Sequence, residues 1–140
     1  MFASLTNDFV LWSRPFNQPV IDLNKIKVRT LSGFVYRFTL VIPVMLEGER
    51  VFSEADRTLL RKLLTEDFGG CTYTKDVNHP LFEGTYQMEN EVVINQNAMY
   101  IVYALQNDDS ITYFRTLQKN LETYTGEEKI LVEMMALTLL

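Results

Sequence analysis

The sequence predicts an α+β domain in which an antiparallel sheet carries two helices. Two segments, residues 54–67 and 108–125, have apolar residues at helical spacing between a capping residue and a glycine. Runs of β-branched and aromatic residues precede, separate and follow them, which is typical of strands. The 140 residues suit a single domain, which can bury roughly two-thirds of the surface of its unfolded chain.

The first strand and the first helix follow from local sequence. Residues 34–42, FVYRFTLVI, are β-branched and aromatic, and Pro43 follows where a ladder hydrogen bond would be lost. Ser53 is a good N-cap, and Asp56 three residues later makes a variant of the capping box. Four leucines then repeat at helical spacing until Gly69-Gly70, which supplies a left-handed C-cap.

The middle of the chain alternates strand-like and turn-like segments. Residues 71–74, CTYT, have strand character, and residues 75–84 form an excursion with one proline and one glycine. Residues 85–88 and 91–94 predict a short hairpin about Glu89 and Asn90. The apolar run AMYIVYAL, residues 98–105, predicts a further long strand.

The second helix opens with Asp108 and Asp109, because carboxylates cap free amides and suit the positive end of the helix dipole. Gly126 ends it, and residues 128–140 predict a strand that runs to the last residue. The order of elements is that of a ferredoxin-like βαββαβ sandwich, with both helices on one face of the sheet. We assign this domain to residues 33–140 and treat residues 1–32 as an N-terminal extension, with a strand at KIKVRTL.

The second face of the predicted sheet is unusually apolar. A sheet with helices on one side should alternate between apolar and polar residues, whereas both faces of these strands are largely apolar. Either the N-terminal extension covers the second face, or a homodimer forms through it; the sequence favours the homodimer. Arg37 and Glu133 should pair on this face, because a buried arginine without a carboxylate is costly.

Composition narrows the classes of partner. The net charge of −5 and the scattered basic residues weigh against nucleic acid and anionic membranes. No apolar run reaches the roughly 20 residues of a membrane-spanning helix. The first 15 residues do not read as a secretory signal, and one cysteine suits a reducing cytoplasm. One histidine and one cysteine fall short of a zinc ligand set, so we expect neither a metal nor a tightly bound cofactor.

The only cysteine and the only histidine lie close together, at Cys71 and His79. A nucleophilic Cys71 is one interpretation, but its position after a helix carboxyl terminus should raise the pKa of the thiol, which favours core packing. His79 precedes a proline and suits a turn. A general acid or base on a loop is the alternative for His79.

Several side chains on the strands are candidates for ligand binding. Tyr86 and Tyr100 combine an aromatic ring with a polar tip, which suits an amphipathic ligand, as do Tyr73 and Tyr103. The same rings would serve a dimer core equally well. With Arg37 and Glu133, Tyr86 and Tyr100 form the candidate ligand-binding set.

The segments FSEADRTLL, FGGCT and HPLFEGTY, after an apolar strand, resemble a group of small bacterial and phage-type proteins with a ferredoxin-like fold. The resemblance covers about residues 34–140 and implies that fold and dimerisation through the sheet. It implies no activity.

Two functions follow as hypotheses. The first is a non-catalytic, homodimeric module that binds a small molecule or a protein at the dimer cleft or beside the loop at residues 75–88. The second is a small-molecule enzyme of the dimeric α/β-barrel kind, with His79 as a proton shuttle and Tyr86 or Arg37 orienting the substrate. The enzyme needs a closed pocket into which at least two of these groups point.

Overall fold

The computed structural model describes residues 21–46, 48–74, 82–88, 91–127 and 129–140. His79 and residues 1–20 lie outside these ranges, so the sequence-based hypotheses about them stay predictions. For Tyr86 the structure describes the backbone but not the side chain.

Within the described ranges the chain forms six strands and two α-helices. The strands are β1 (Gly33–Leu46), β2 (Glu49–Arg50), β3 (Thr72–Tyr73), β4 (Phe82–Met88), β5 (Glu91–Leu105) and β6 (Leu131–Leu139). The helices are α1 (Glu54–Phe68) and α2 (Asp108–Thr125), and a single 3-10 turn, Leu23–Lys25, precedes β1.

Strand β1 organises the sheet because it is hydrogen-bonded on both sides. It pairs antiparallel with β5 on one side and with β6 on the other, and the short β2 pairs with its last residues. Both β3 and β4 pair antiparallel with β5. An antiparallel sheet with two helices is the α+β architecture that the sequence predicts, and it is consistent with a ferredoxin-like fold.

Both helices begin and end close to the positions that the sequence predicts. The Ser53 hydroxyl accepts from the Asp56 amide at 3.1 Å, and the Ser53 amide donates to the Asp56 carboxylate at 2.9 Å, so the capping box is complete. Gly69 then ends α1 with φ +86°. The cap of α2 is Asn107, whose side chain accepts from the Ser110 amide at 3.0 Å. The predicted acidic pair instead occupies the first turn.

Several predicted strands differ in extent from the observed ones. Residues 91–94 and 98–105 were expected to be two strands, but they belong to the single strand β5. The predicted hairpin is present, since Met88 lies opposite Glu91. The CTYT segment contributes only Thr72 and Tyr73. The KIKVRTL segment makes a single bridge, between Lys27 and Ala104, because β3 occupies the same side of β5 a few residues away.

The core lies between the sheet and the helices. On β1 the side chains of Phe38, Leu40 and Ile42 are buried on this face, opposite Val102, Tyr100 and Ala98 of β5. Ile26, which precedes β1, is also buried in this cluster. Part of the predicted extension therefore contributes to the main core.

The second face of the sheet is covered unevenly. On β1 the side chain of Val35 is fully buried, and Arg37, Thr39 and Val41 are half-buried. On the same face, strand β6 exposes Leu131 and Met135 by about half. The apolar surface that the second face exposes is thus greatest on the outer strand.

Two tyrosine–aspartate hydrogen bonds, one of them buried, join the helices. Near one end of the helix pair, the Tyr113 hydroxyl donates to the Asp67 carboxylate at 2.6 Å. Near the other end, the Tyr124 hydroxyl donates to the Asp56 carboxylate at 2.9 Å. Each bond links the start of one helix to the end of the other, so α1 and α2 are held antiparallel at both ends.

We expect Tyr113→Phe to lower the free energy of unfolding by about 1.5–3 kcal/mol, because it removes a hydrogen bond to a charged group and leaves Asp67 without this donor. The ring, which packs edge-on against Phe68 at a centroid distance of 4.8 Å, is retained. Urea unfolding measures the change. Tyr73→Phe on an exposed ring is the matched control, and equal stability of the two variants would contradict the assignment.

Candidate functional site

A cleft of ≈ 290 Å³ opens beside the end of helix α1, and we call it the Gly-Gly cleft. One wall is the segment before β1, and the other is the chain that leaves α1 and enters β3. Side chains of β5 form the third side. The lining residues are Val28, Arg29, Leu31, Phe68, Gly69, Gly70, Cys71, Thr72, Ile101 and Tyr103.

Local structure explains why the two walls approach each other. The Leu105 amide donates to the Ile26 carbonyl at 2.9 Å, which ties the segment before β1 to the edge of β5. On the other wall, Gly69 has φ +86°, and a Cβ added there would lie 3.3 Å from Cε of Lys27. Both the left-handed conformation and this close approach favour glycine. Gly69 therefore ends the helix and also lets the segment before β1 approach it closely.

The lining combines apolar surface with a few polar groups. Tyr103 and Ile101 present half-buried side chains from β5, and Leu31 is largely exposed. Arg29 is exposed at the rim, where its guanidinium donates to the Asn24 side chain at 3.4 Å. An aromatic and aliphatic wall with a cation at its edge suits a small amphipathic ligand. The volume is near the lower end of the range for small-molecule sites, about 300 Å³.

A second polar group of residues lies on the helix side of the sheet. The Arg57 side chain is buried, and its guanidinium donates to the Phe52 carbonyl at 3.0 Å. The guanidinium carbon of Arg61 lies 4.6 Å from the centre of the Tyr73 ring. Burial raises the pKa of the nearby Tyr100 hydroxyl, although Arg57 and Arg61 act in the opposite direction. Tyr100 thus stays a neutral phenol and packs in the core.

Cys71 is half-buried in the wall of the Gly-Gly cleft. Burial raises the pKa of its thiol to about 11, and the positive charge of Arg61 opposes part of that effect. The direction agrees with the sequence-based expectation, but the main cause is burial and not the field of the helix end. A thiol with this pKa is a poor nucleophile at neutral pH.

Three of the candidate ligand-binding residues, Arg37, Tyr100 and Glu133, have described side chains, and these three do not lie on one face of the sheet. Tyr100 faces the helices, whereas Arg37 and Glu133 lie on the second face of the sheet. The expected ion pair is not formed: the Arg37 guanidinium donates instead to Sδ of Met135 at 3.5 Å, and Glu133 lies opposite Thr39. The register explains this result, because Arg37 is directly opposite Met135 and only diagonal to Glu133.

Sequence reasoning found only part of the cleft. Tyr103 was recognised as an aromatic that could line a pocket, and the Gly-Gly pair was recognised as a helix stop. Arg29 was missed, because it reaches the cleft only through the pairing of the segment before β1 with β5. Two adjacent glycines, Gly69 and Gly70, were the available sequence signal of a close approach.

Two searches of the described residues give negative results. Across the part of the chain that the structure describes, there is no group of three or more histidine, cysteine, aspartate or glutamate side chains arranged to hold a metal ion. Neither α1 nor α2, the helices of the described ranges, is long and apolar enough to cross a membrane.

Comparisons with known proteins show similarity to solved structures but not to known sequences. No protein-family model matches the sequence, and no curated protein matches it. A phage SAM lyase, solved in complex with S-methyl-5'-thioadenosine, is similar with a TM-score of 0.51 and 14% identity, over 80% of this chain and 94% of that one. The divalent cation tolerance protein (Cut A1) from Thermus thermophilus is similar with a TM-score of 0.43 and 16% identity, over 75% of this chain and 84% of that one.

We expect Cys71 to react slowly with iodoacetamide, because a pKa near 11 leaves very little thiolate at pH 8. Relative to the urea-unfolded chain at this pH, the native protein should react at least tenfold more slowly, and its rate should keep rising up to about pH 11. A native rate that reaches its plateau by about pH 9, the ordinary value for a thiol, would contradict the raised pKa.

Proposed function

We propose that the protein is a non-catalytic, homodimeric module that binds a small amphipathic molecule in the Gly-Gly cleft. The observation that carries this proposal is the cleft itself, in which the ring of Tyr103 and the side chain of Ile101 meet the cation of Arg29 at the rim. The ligand class that suits these groups has an apolar ring and an anionic or strongly polar substituent.

The arrangement of the sheet supports a role for a second copy. Tyr103 lies opposite Arg37 on the second face, and Arg37 lies opposite Met135 on β6. One row of side chains therefore runs from the cleft to the exposed outer strand. A second copy at β6 would extend this row and leave the cleft accessible from the opposite edge. The expected compartment is the cytoplasm, since a single cysteine suits a reducing environment.

A thermal-shift screen with aromatic carboxylates and nucleosides, S-methyl-5'-thioadenosine among them, tests the binding function. A ligand that binds only the native state stabilises it by about 2.7 kcal/mol at a concentration 100 times its Kd, so the Tm should rise for at least one class. Arg29→Ala and Tyr103→Ala should each lower the affinity for that ligand at least tenfold, as measured by calorimetric titration.

Arg115→Ala, on the exposed surface of α2, is the matched control and should leave the affinity unchanged. Two results would overturn the proposed site. The first is a screen in which no member of either ligand class shifts the Tm. The second is a ligand whose Kd is unchanged in both Arg29→Ala and Tyr103→Ala.

A second candidate is a small-molecule enzyme in which His79 is the proton shuttle and Tyr86 or Arg37 orients the substrate. The observation that favours it is the likeness of 80% of this chain to a phage SAM lyase, since a lyase with this fold acts on a small molecule. The likeness concerns the fold, and the catalytic groups on this chain are our proposal.

If the enzyme hypothesis is right, His79 takes a proton from the methionine-chain carbon beside the one bonded to sulfur in S-adenosylmethionine. That C–S bond then breaks, and S-methyl-5'-thioadenosine leaves together with an unsaturated amino acid. Chromatography detects both products. His79→Ala should then lower the rate by roughly 100-fold or more, as expected for loss of a general acid or base, while Lys119→Ala on α2 should not. A rate equal to the background without protein, or one unaffected by His79→Ala, would reject this candidate.

A further inference from the structure

Strand β6 forms an outer edge of the sheet that lacks the usual protection against further pairing. Within the described residues it pairs with β1 alone, so its other side presents unpaired backbone groups. Natural proteins blunt such edges with lysine, proline, bulges or very short strands. The nine residues LVEMMALTL contain neither lysine nor proline, and Glu133 is their one charge. The edge strands β2 and β3, in contrast, have two residues each, while β4, which pairs only with β5 among the described residues, has seven.

The side chains of β6 are exposed on both faces of the sheet. On the face of the helices Met134 is 48% exposed, and on the second face Leu131 and Met135 are 47% and 53% exposed. The strand therefore offers a main-chain edge and apolar side chains at the same place. Main-chain pairing with an added strand, flanked by alternate side chains, would bury both.

We infer that β6 pairs antiparallel with β6 of a second copy of this chain, about a twofold axis that passes midway between Met135 and its copy. This inference specifies the homodimer of the proposed function and does not depend on what the Gly-Gly cleft binds. The result is one continuous sheet shared by two chains. It differs from a dimer in which two sheets pack face to face.

The sequence of β6 suits this register. A twofold axis perpendicular to the sheet requires an axis residue that meets its own copy, and Met135 is the centre of Leu131–Leu139. All nine residues then find a partner, with Leu131 opposite Leu139. Glu133 lies opposite Leu137, so the two carboxylates stay apart. A shift of the axis to Glu133 would bring like charges together, which is unfavourable.

The register also provides a partner for Arg37. Its guanidinium already reaches across to β6, where it contacts Sδ of Met135 at 3.5 Å. Glu133 of the partner subunit would be a diagonal neighbour of Met135 on the same face, about 7–8 Å away. Arg37 lies one strand farther, so its α-carbon would be about 12 Å from that of this glutamate, a distance that the two extended side chains can span. The ion pair that does not form within one chain would thus form between two.

Cysteine cross-linking tests the register in the full chain with Cys71→Ala as background. Met135→Cys should form an intermolecular disulfide readily, because the two cysteines face each other across the axis within the span that a disulfide tolerates. Leu137→Cys is the matched control on the same strand and face, and it leaves the predicted ion pair in place. Its two copies would be about 13 Å apart along the strands, so it should cross-link at least tenfold more slowly.

A charge swap tests the predicted ion pair. Arg37→Glu and Glu133→Arg should each weaken dimerisation at least tenfold, measured by sedimentation, because each places like charges across the axis. The double variant should recover most of the affinity, which a variant that merely unfolds could not do. Circular dichroism of each single variant checks that it is folded.

The outcomes separate this inference from the proposed function. A dimer that cross-links equally at both positions, or one that the double swap does not restore, overturns the register and leaves ligand binding intact. A trimer overturns the twofold axis, and a monomer at high micromolar concentration overturns the homodimer as well. The thermal-shift screen measures ligand binding independently. If no ligand binds, the β6 pairing is unaffected by that result.

Discussion

A single stack of aromatic rings holds the two helices and the sheet together. Phe114 of α2 stacks on Phe38 of β1 at a centroid distance of 4.0 Å and on Phe68 of α1 at 5.1 Å. Three elements that are distant in sequence thus meet at one ring. Since Phe68 is the last residue of α1, the stack also sets where the chain turns at Gly69 and enters β3. The position of the Gly-Gly cleft depends on this contact.

The two ends of the helix pair differ in what they contribute. The Tyr113–Asp67 hydrogen bond lies beside the aromatic stack and secures the wall of the cleft. The Tyr124–Asp56 bond lies at the other end, where Asp56 also completes the capping box of α1. One carboxylate therefore starts a helix and joins it to its neighbour. These two hydrogen bonds give the helix pair directional contacts as well as apolar ones.

The two faces of the sheet differ in how far the chain itself buries them. The face toward the helices is packed by the chain itself, whereas the second face is half-buried over β1 and β5 and more exposed at β6. The difference follows from strand order, because β1 and β5 are flanked on both sides, while β6 has one neighbour among the described residues. A sequence pattern shows that a strand is apolar on both faces, but only the order of strands shows where that apolar surface remains exposed.

The sequence by itself determined the local elements. Ser53, Asp56, Gly69 and Gly126 specify the ends of the helices through capping and left-handed φ angles, which act within a few residues. The α+β class and the alternation of the strands followed in the same way. Tertiary structure alone decided the contacts made across the sheet. Arg37 lies opposite Met135 and not Glu133, and Arg29 reaches the cleft, because strand register and the pairing of Ile26 with Leu105 depend on residues far apart in the chain.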